Sequence, residues 1–136
     1  ALDSPTIPLA DLLLEKLQIH EITEKDVKDL VALLHEHQIG SHQEREIIDA
    51  KHFASTLAND WGFWYDANMN LDKVSTLAAG YQTKGLIAMD VLSDVQTKIA
   101  ELKKYIDQEP KSKDWNSRNK TGTQKQWWKD VEEVSR

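Results

Sequence analysis

The sequence predicts an all-α fold, a bundle of four to five helices carrying a partly irregular C-terminal tail. Five glycines and three prolines in 136 residues leave few breakers for a turn-rich β structure. Apolar residues recur at helical spacing along most of the chain and reach a heptad seam in its second half. A hydrophobic fraction of 40% and a charged fraction of 29% describe an ordinary globular chain. Its length suits one domain, 1–136, with room for one core.

Each element has a local reason. "SPTIP" keeps residues 1–7 an extended entry, because each residue before a proline is pushed away from helical geometry. Pro8 suits the first helical position, and the first helix is expected from Pro8 to Ile19. Thr23 and Asp26 form a Thr-x-x-Asp start, a relative of the capping box. The second helix should run from Glu24 to about Gln38, with Val27, Leu30, Val31 and Leu34 facing the core, and Gly40-Ser41 ending it. "SHQEREI" reads as a loop. Asp49 caps a third helix through Phe53, Leu57 and Trp61; Gly62 bends it, and the pattern resumes with Trp64, Leu71, Val74 and Leu77 until Gly80. The longest helix is expected over 84–108, with Ala88, Leu92, Val95, Ile99, Leu102 and Ile106 spaced 4-3-4-3-4. At 1.5 Å per residue it would span roughly 37 Å, the length of the bundle. Packing inside the molecule explains that seam; dimerisation is its alternative, and the sequence leaves the oligomeric state open. Pro110 stops the helix. In the tail, 109–136, "KTGTQ" reads as a turn, and Trp127-Trp128 suits a strand or a clamp onto the helical body, 8–108.

Charge is segregated. Residues 110–129 hold six basic side chains against Asp114 alone, a balance of +5, so a net charge of −6 leaves −11 on the remainder. The acidic total argues against a protein that coats nucleic acid generally. The basic tail should dock on the acidic body or meet an anion, and Arg118, Lys120, Lys125 and Trp127 are candidates for binding RNA by phosphate contact and base stacking. Packing on the bundle with solvated lysines is the plainer alternative. The absence of cysteine excludes disulfides and thiolate metal sites. No apolar run is long enough for a membrane span, and no secretory signal opens the chain, so a cytoplasmic protein is expected. Its start at Ala-Leu-Asp suggests excision from a longer chain. His35, His37 and His42 lack the spacing of a metal site and read as a polar helix end, and Trp61, Trp64 and Tyr65 read as core.

Lys16 is the odd residue. At 100° per residue it falls within the stripe of Leu9, Leu12, Leu13 and Leu17. A buried ammonium needs a partner. Asp26 and Asp29 are the nearest candidates, one helical turn apart, and Asp26 at the core margin is expected within about 4 Å of the lysine. A structural ion pair at a helix corner, a snorkelling lysine, and one wall of an anion or nucleotide site all satisfy these residues.

"IPLADLLLEKLQIHEITEKDVKDLVALL", with its Leu-x-x-Lys-Leu and Lys-Asp-x-x-Asp-Leu patterns, resembles the segment after the catalytic sheet in bacterial nucleotidyltransferase-like proteins related to the AbiE-type toxins. "NDWGFWYDANMNLDKV", "EPKSKDWNSR" and "GTQKQWWKDVEEV" are similar to an uncharacterised branch of that superfamily. The resemblance implies a nucleotide-contacting role for Lys16 and a place beside the active site for Asp26 and Asp29. The family's Gly-Ser and Asp-x-Asp motifs, which bind phosphates and Mg²⁺, do not occur here, and Ile22-Thr23-Glu24 replaces a frequent arginine. The implied function is a C-terminal helical accessory domain, inactive alone, partnered by its own upstream nucleotidyltransferase domain. Nucleotide and Mg²⁺ then belong to the full-length parent. A non-enzymatic helical domain binding protein or RNA is the alternative.

Overall fold

The computed structural model describes residues 7–128. Most of the extended entry, Lys129 of the basic segment and the end of the tail lie outside the described residues. Among the described residues, six α-helices and one tiny sheet make an all-α architecture: α1 Leu9–Leu17, α2 Glu24–Glu36, α3 Ala50–Leu57, α4 Trp61–Thr83, α5 Met89–Gln108 and α6 Lys113–Asn119. The α4 helix touches each of the other five. Its inward face, Ala67, Leu71, Val74, Ala78 and Tyr81, keeps the three-and-four spacing of a helix packed along its length.

The expected start signals work nearly as read. Thr23 and Asp26 form a full capping box. Asp49 Oδ1 accepts from the backbone N–H groups of Lys51 and His52, both at 3.1 Å. Pro8, however, is the residue before α1, in extended geometry, and the helix stops at Leu17 rather than Ile19. The α2 helix also stops early, at Glu36, because Gln38–Gly40 forms a short strand, β1, parallel to β2, Ile47–Asp49. Parallel strands normally need a long crossover, but the return along a three-residue strand is only about 10 Å. Six residues, 41–46, cover it readily.

Two helix boundaries in the middle of the chain differ from expectation. The break falls before Trp61, where Asp60 caps α4 through Phe63 N–H at 3.1 Å, and the helix then continues without interruption through Gly62 and Gly80. Its end comes at Thr83. Gly85 has a φ of +77°, with its N–H donating to Gln82 O and the N–H of Leu86 to Tyr81 O. That paired 5→2 and 6→1 closure needs a left-handed residue, which glycine supplies without strain. The α5 helix therefore starts at Met89, not Lys84, and α4 is the longer of the two. Leu92, Val95, Ile99, Leu102 and Ile106 are buried as the heptad predicts, whereas Ala88 stays outside the helix and Leu77 of α4 is exposed.

Polar burial serves the helix ends. Asn70 Nδ2 donates to Leu17 O at 3.0 Å and Ile19 O at 2.6 Å, closing the C-terminus of α1. Lys98, only 5% exposed, donates to Leu34 O at 2.8 Å and His35 O at 3.3 Å, closing α2. Lys111 does the same for α5, at 2.7 Å from Ile106 O. The last carbonyls of a helix lack internal partners and carry its negative end, so an amide or ammonium there satisfies two requirements at once.

Candidate functional site

Lys16 meets Asp29, not Asp26. The Nζ–Oδ2 distance is 3.5 Å, and the two side chains are 34% and 39% exposed. The α1 helix is turned so that Ala10 and Leu14 join Leu13 and Leu17 in the core, which moves Lys16 from the centre of the apolar stripe to its edge. Asp26 is occupied elsewhere: its Oδ2 accepts from Thr23 Oγ1 at 2.7 Å and from Thr23 N–H at 3.0 Å. Those side-chain and backbone hydrogen bonds hold its pKa below the ordinary value, against a small burial effect and with help from Lys16 and Lys25. Asp29 also has Lys25 at 3.9 Å. One carboxylate committed to a cap and another between two lysines do not fit Mg²⁺, which needs free oxygen ligands.

The lysine under real burial constraint is Lys98. Its ammonium lies 3.1 Å from Asp94 Oδ2, which also accepts from His35 Nδ1–H at 2.9 Å. Burial pushes the Asp94 pKa up, but the hydrogen bonds from His35 and Lys98 and their charges outweigh it and hold it below the ordinary carboxylate value. Sequence reasoning overlooked this cluster. Its signal was the Asp94–Lys98 pair at i,i+4 flanking Val95 and Ile99.

A cleft of about 630 Å³ opens away from both lysines, between the α1–α2 connection, the start of α4 and the tail. His20, Glu21, Asp60, Phe63, Asp66, Trp127 and Trp128 are among its walls, and none of Lys16, Asp26 and Asp29 is. Asn70 fixes the carbonyls before His20 and so sets the imidazole facing α4. The tail forms the other wall. It leaves α5 through Ser112 N–H donating to Ala58 O at 3.0 Å, forms α6, and buries Trp115 edge-on to Trp64. A 3-10 turn, Gly122–Gln124, reverses it. Arg118 staples that turn, donating to Gly122 O at 2.7 Å and Lys125 O at 2.6 Å while its guanidinium lies 4.6 Å over the Trp61 ring. Trp61 Nε1–H donates to Asn119 Oδ1 at 2.7 Å.

Trp127 then seats on α4. Its Nε1–H donates to Asp66 Oδ1 at 3.0 Å, and its ring meets Trp61, Tyr65 and Trp128 edge-on at 4.7 to 5.3 Å. Gly62 makes the seat: a Cβ there would stand 3.1 Å from Trp127 Cβ and Cδ1. Trp128 stacks on His20 at 3.8 Å with an interplanar angle of 6°. The buried Nδ1 of His20 has no hydrogen-bond partner among the described residues, and Asp66 Oδ1 lies 3.6 Å away.

The clamp alternative for Trp127-Trp128 is thus the observed one, and aromatic contact rather than charge docks the tail. Arg118 and Trp127, two of the residues singled out for RNA, are committed to these internal contacts. Lys120 and Lys125 are exposed and pair with no acidic side chain among the described residues. The clue in the sequence was Gly62 between Trp61 and Phe63, which reads as a bend until its partner in the tail is known. The chain matches no family model, no curated protein and no solved structure. No helix of the described residues is long and apolar enough to cross a membrane.

Proposed function

We propose that this chain is a helical binding domain that works through the tail-walled cleft rather than through Lys16. One observation carries the reading. The carboxylate of Asp66, 14% exposed in the cleft wall, has the Trp127 indole and a histidine beside it but no lysine or arginine among the described residues. A structural carboxylate at that depth is normally balanced, because desolvation penalises an unpaired charge. The Lys16–Asp29 corner, by contrast, is already balanced and half in solvent. The test is a thermal-shift screen of charged and neutral small molecules against the wild type and Gly62→Leu, which removes the seat of Trp127. Ligands that stabilise the first and not the second support the reading; a screen in which both respond alike sinks it.

A second reading is the accessory domain of a nucleotidyltransferase-like parent. It is supported by the order of the sequence motifs and by the half-exposed Lys16 ammonium, held by a single 3.5 Å contact and able to swing towards a docked anion. The parent would carry Gly-Ser and Asp-x-Asp upstream and supply nucleotide and Mg²⁺. Lys16→Met should then leave this domain stable and abolish the parent's activity. Full activity in that variant removes Lys16 from the reading.

A further inference from the structure

We infer that the cleft binds an organic cation, an alkylammonium or guanidinium group on a molecule of amino-acid to dipeptide size. The inference rests on the binding-domain reading and assigns it a ligand class. Three carboxylates, Glu21, Asp60 and Asp66, stand in the walls, and among the described residues no lysine or arginine does. Asp60 is partly engaged as the cap of α4, but Asp66 and Glu21 have no cationic partner among the described residues other than His20 beside Asp66. Phe63, Trp127, Trp128 and the His20 ring add aromatic surface, and Gln18, Ile19 and Gly62 complete the lining.

Aromatic faces beside carboxylates favour one class of ligand. The negative ring face attracts a cation, and the attraction grows when water is displaced. A carboxylate set back in the wall supplies the counter-charge and gains its missing partner. Phosphates and nucleotides meet the opposite field. The same protein shows the chemistry next door, where the Arg118 guanidinium lies over Trp61 at 4.6 Å and the Lys111 ammonium 5.5 Å from the Trp115 ring. A volume of about 630 Å³ lies within the usual range for small-molecule sites and exceeds what a bare ammonium ion would fill. The cation therefore arrives with a body attached, either as a free small molecule or as a basic side chain of a peptide.

Titrate the full chain with Nα-acetyl-arginine amide and follow tryptophan fluorescence, with the citrulline amide as the neutral match. Saturable binding with a Kd of about 1 mM or tighter is expected for the arginine compound, weakened at least tenfold for citrulline. Asp66→Asn should weaken arginine binding to a similar degree. Its side-chain oxygen can still accept the Trp127 N–H, so the clamp stays seated and the loss reports charge. A short arginine peptide that binds more tightly than the amide identifies a peptide source; equal binding identifies a small molecule, and both support the site. Equal binding of arginine and citrulline overturns the cation. So does ATP binding that Gly62→Leu abolishes, although the cleft then remains a binding site. Absence of binding by all of these probes overturns the cation and the cleft together.

Discussion

The bundle and the tail are held by different physics. From α1 to α5 the core is mainly aliphatic, Leu, Ile, Val and Ala spread over five helices, with Phe53 and Tyr81 as its aromatic members. Beyond α5 the contacts are aromatic edges, one stacked histidine and single hydrogen bonds onto the first turns of α4. An aliphatic core with many neighbours per side chain unfolds as one unit, whereas a segment attached at one end can detach alone at lower free energy. The cleft sits on that boundary. Its floor belongs to the stable body and its far wall to the separable tail, so ligand binding and tail docking should be coupled.

Substitutions and acid should act on the two regions unequally. Ile99→Ala, at the centre of the α5 seam and 3% exposed, should cost about 2–5 kcal/mol of global stability by denaturant unfolding. A loss confined to the tail would refute the division. Lys98→Met should cost about 1–3 kcal/mol, because it leaves the Leu34 and His35 carbonyls without their donor and Asp94 with His35 alone. Unchanged stability would mean that water replaces the ammonium. Acid should weaken the body next. The pKa values of Asp26 and Asp94 are lowered by folding, so their contribution is full above the unfolded value and is lost as pH falls through the folded one. Unfolding midpoints should therefore drop below about pH 4, and Asp94→Asn should flatten that limb. Identical acid limbs would dismiss Asp94. The smallest effect belongs to Lys16: a double-mutant cycle with Asp29 should give a coupling under about 1 kcal/mol, because the half-exposed pair is screened by solvent. A coupling several times larger would make the corner a buried interaction.

The same contrast explains what the sequence could disclose. The α2 face Val27, Leu30, Val31 and Leu34, the α5 seam from Leu92 to Ile106 and the caps at Thr23 and Asp49 depend on spacing within one helix, and spacing is written in the chain. The start of α5 was misplaced because Lys84 to Ala88 carries no breaker other than Gly85, whose left-handed φ belongs to the end of α4. In sequence Lys16 falls within an apolar stripe and Lys98 beside one. Which one is buried depends on the rotation of α1 and on the carbonyls of α2 that approach α5, both set by tertiary packing. The cleft was least legible, since Trp127 lies about sixty residues beyond Gly62 and Asp66 and only the folded tail brings it to them.

If the tail and the bundle are separable, Trp127, seated over Gly62, docks the tail and builds the cleft without supporting the bundle. The direct measurement is the ¹H–¹⁵N spectrum of Gly62→Leu, whose larger side chain fills the seat while favouring helix more than glycine does. The indole N–H resonances of Trp127 and Trp61 should move and the backbone amides of residues 112–128 should lose hydrogen-exchange protection, while those of α1, α2, α3 and α5 keep theirs. An unchanged Trp127 indole resonance, or loss of protection throughout the bundle, would contradict that separation.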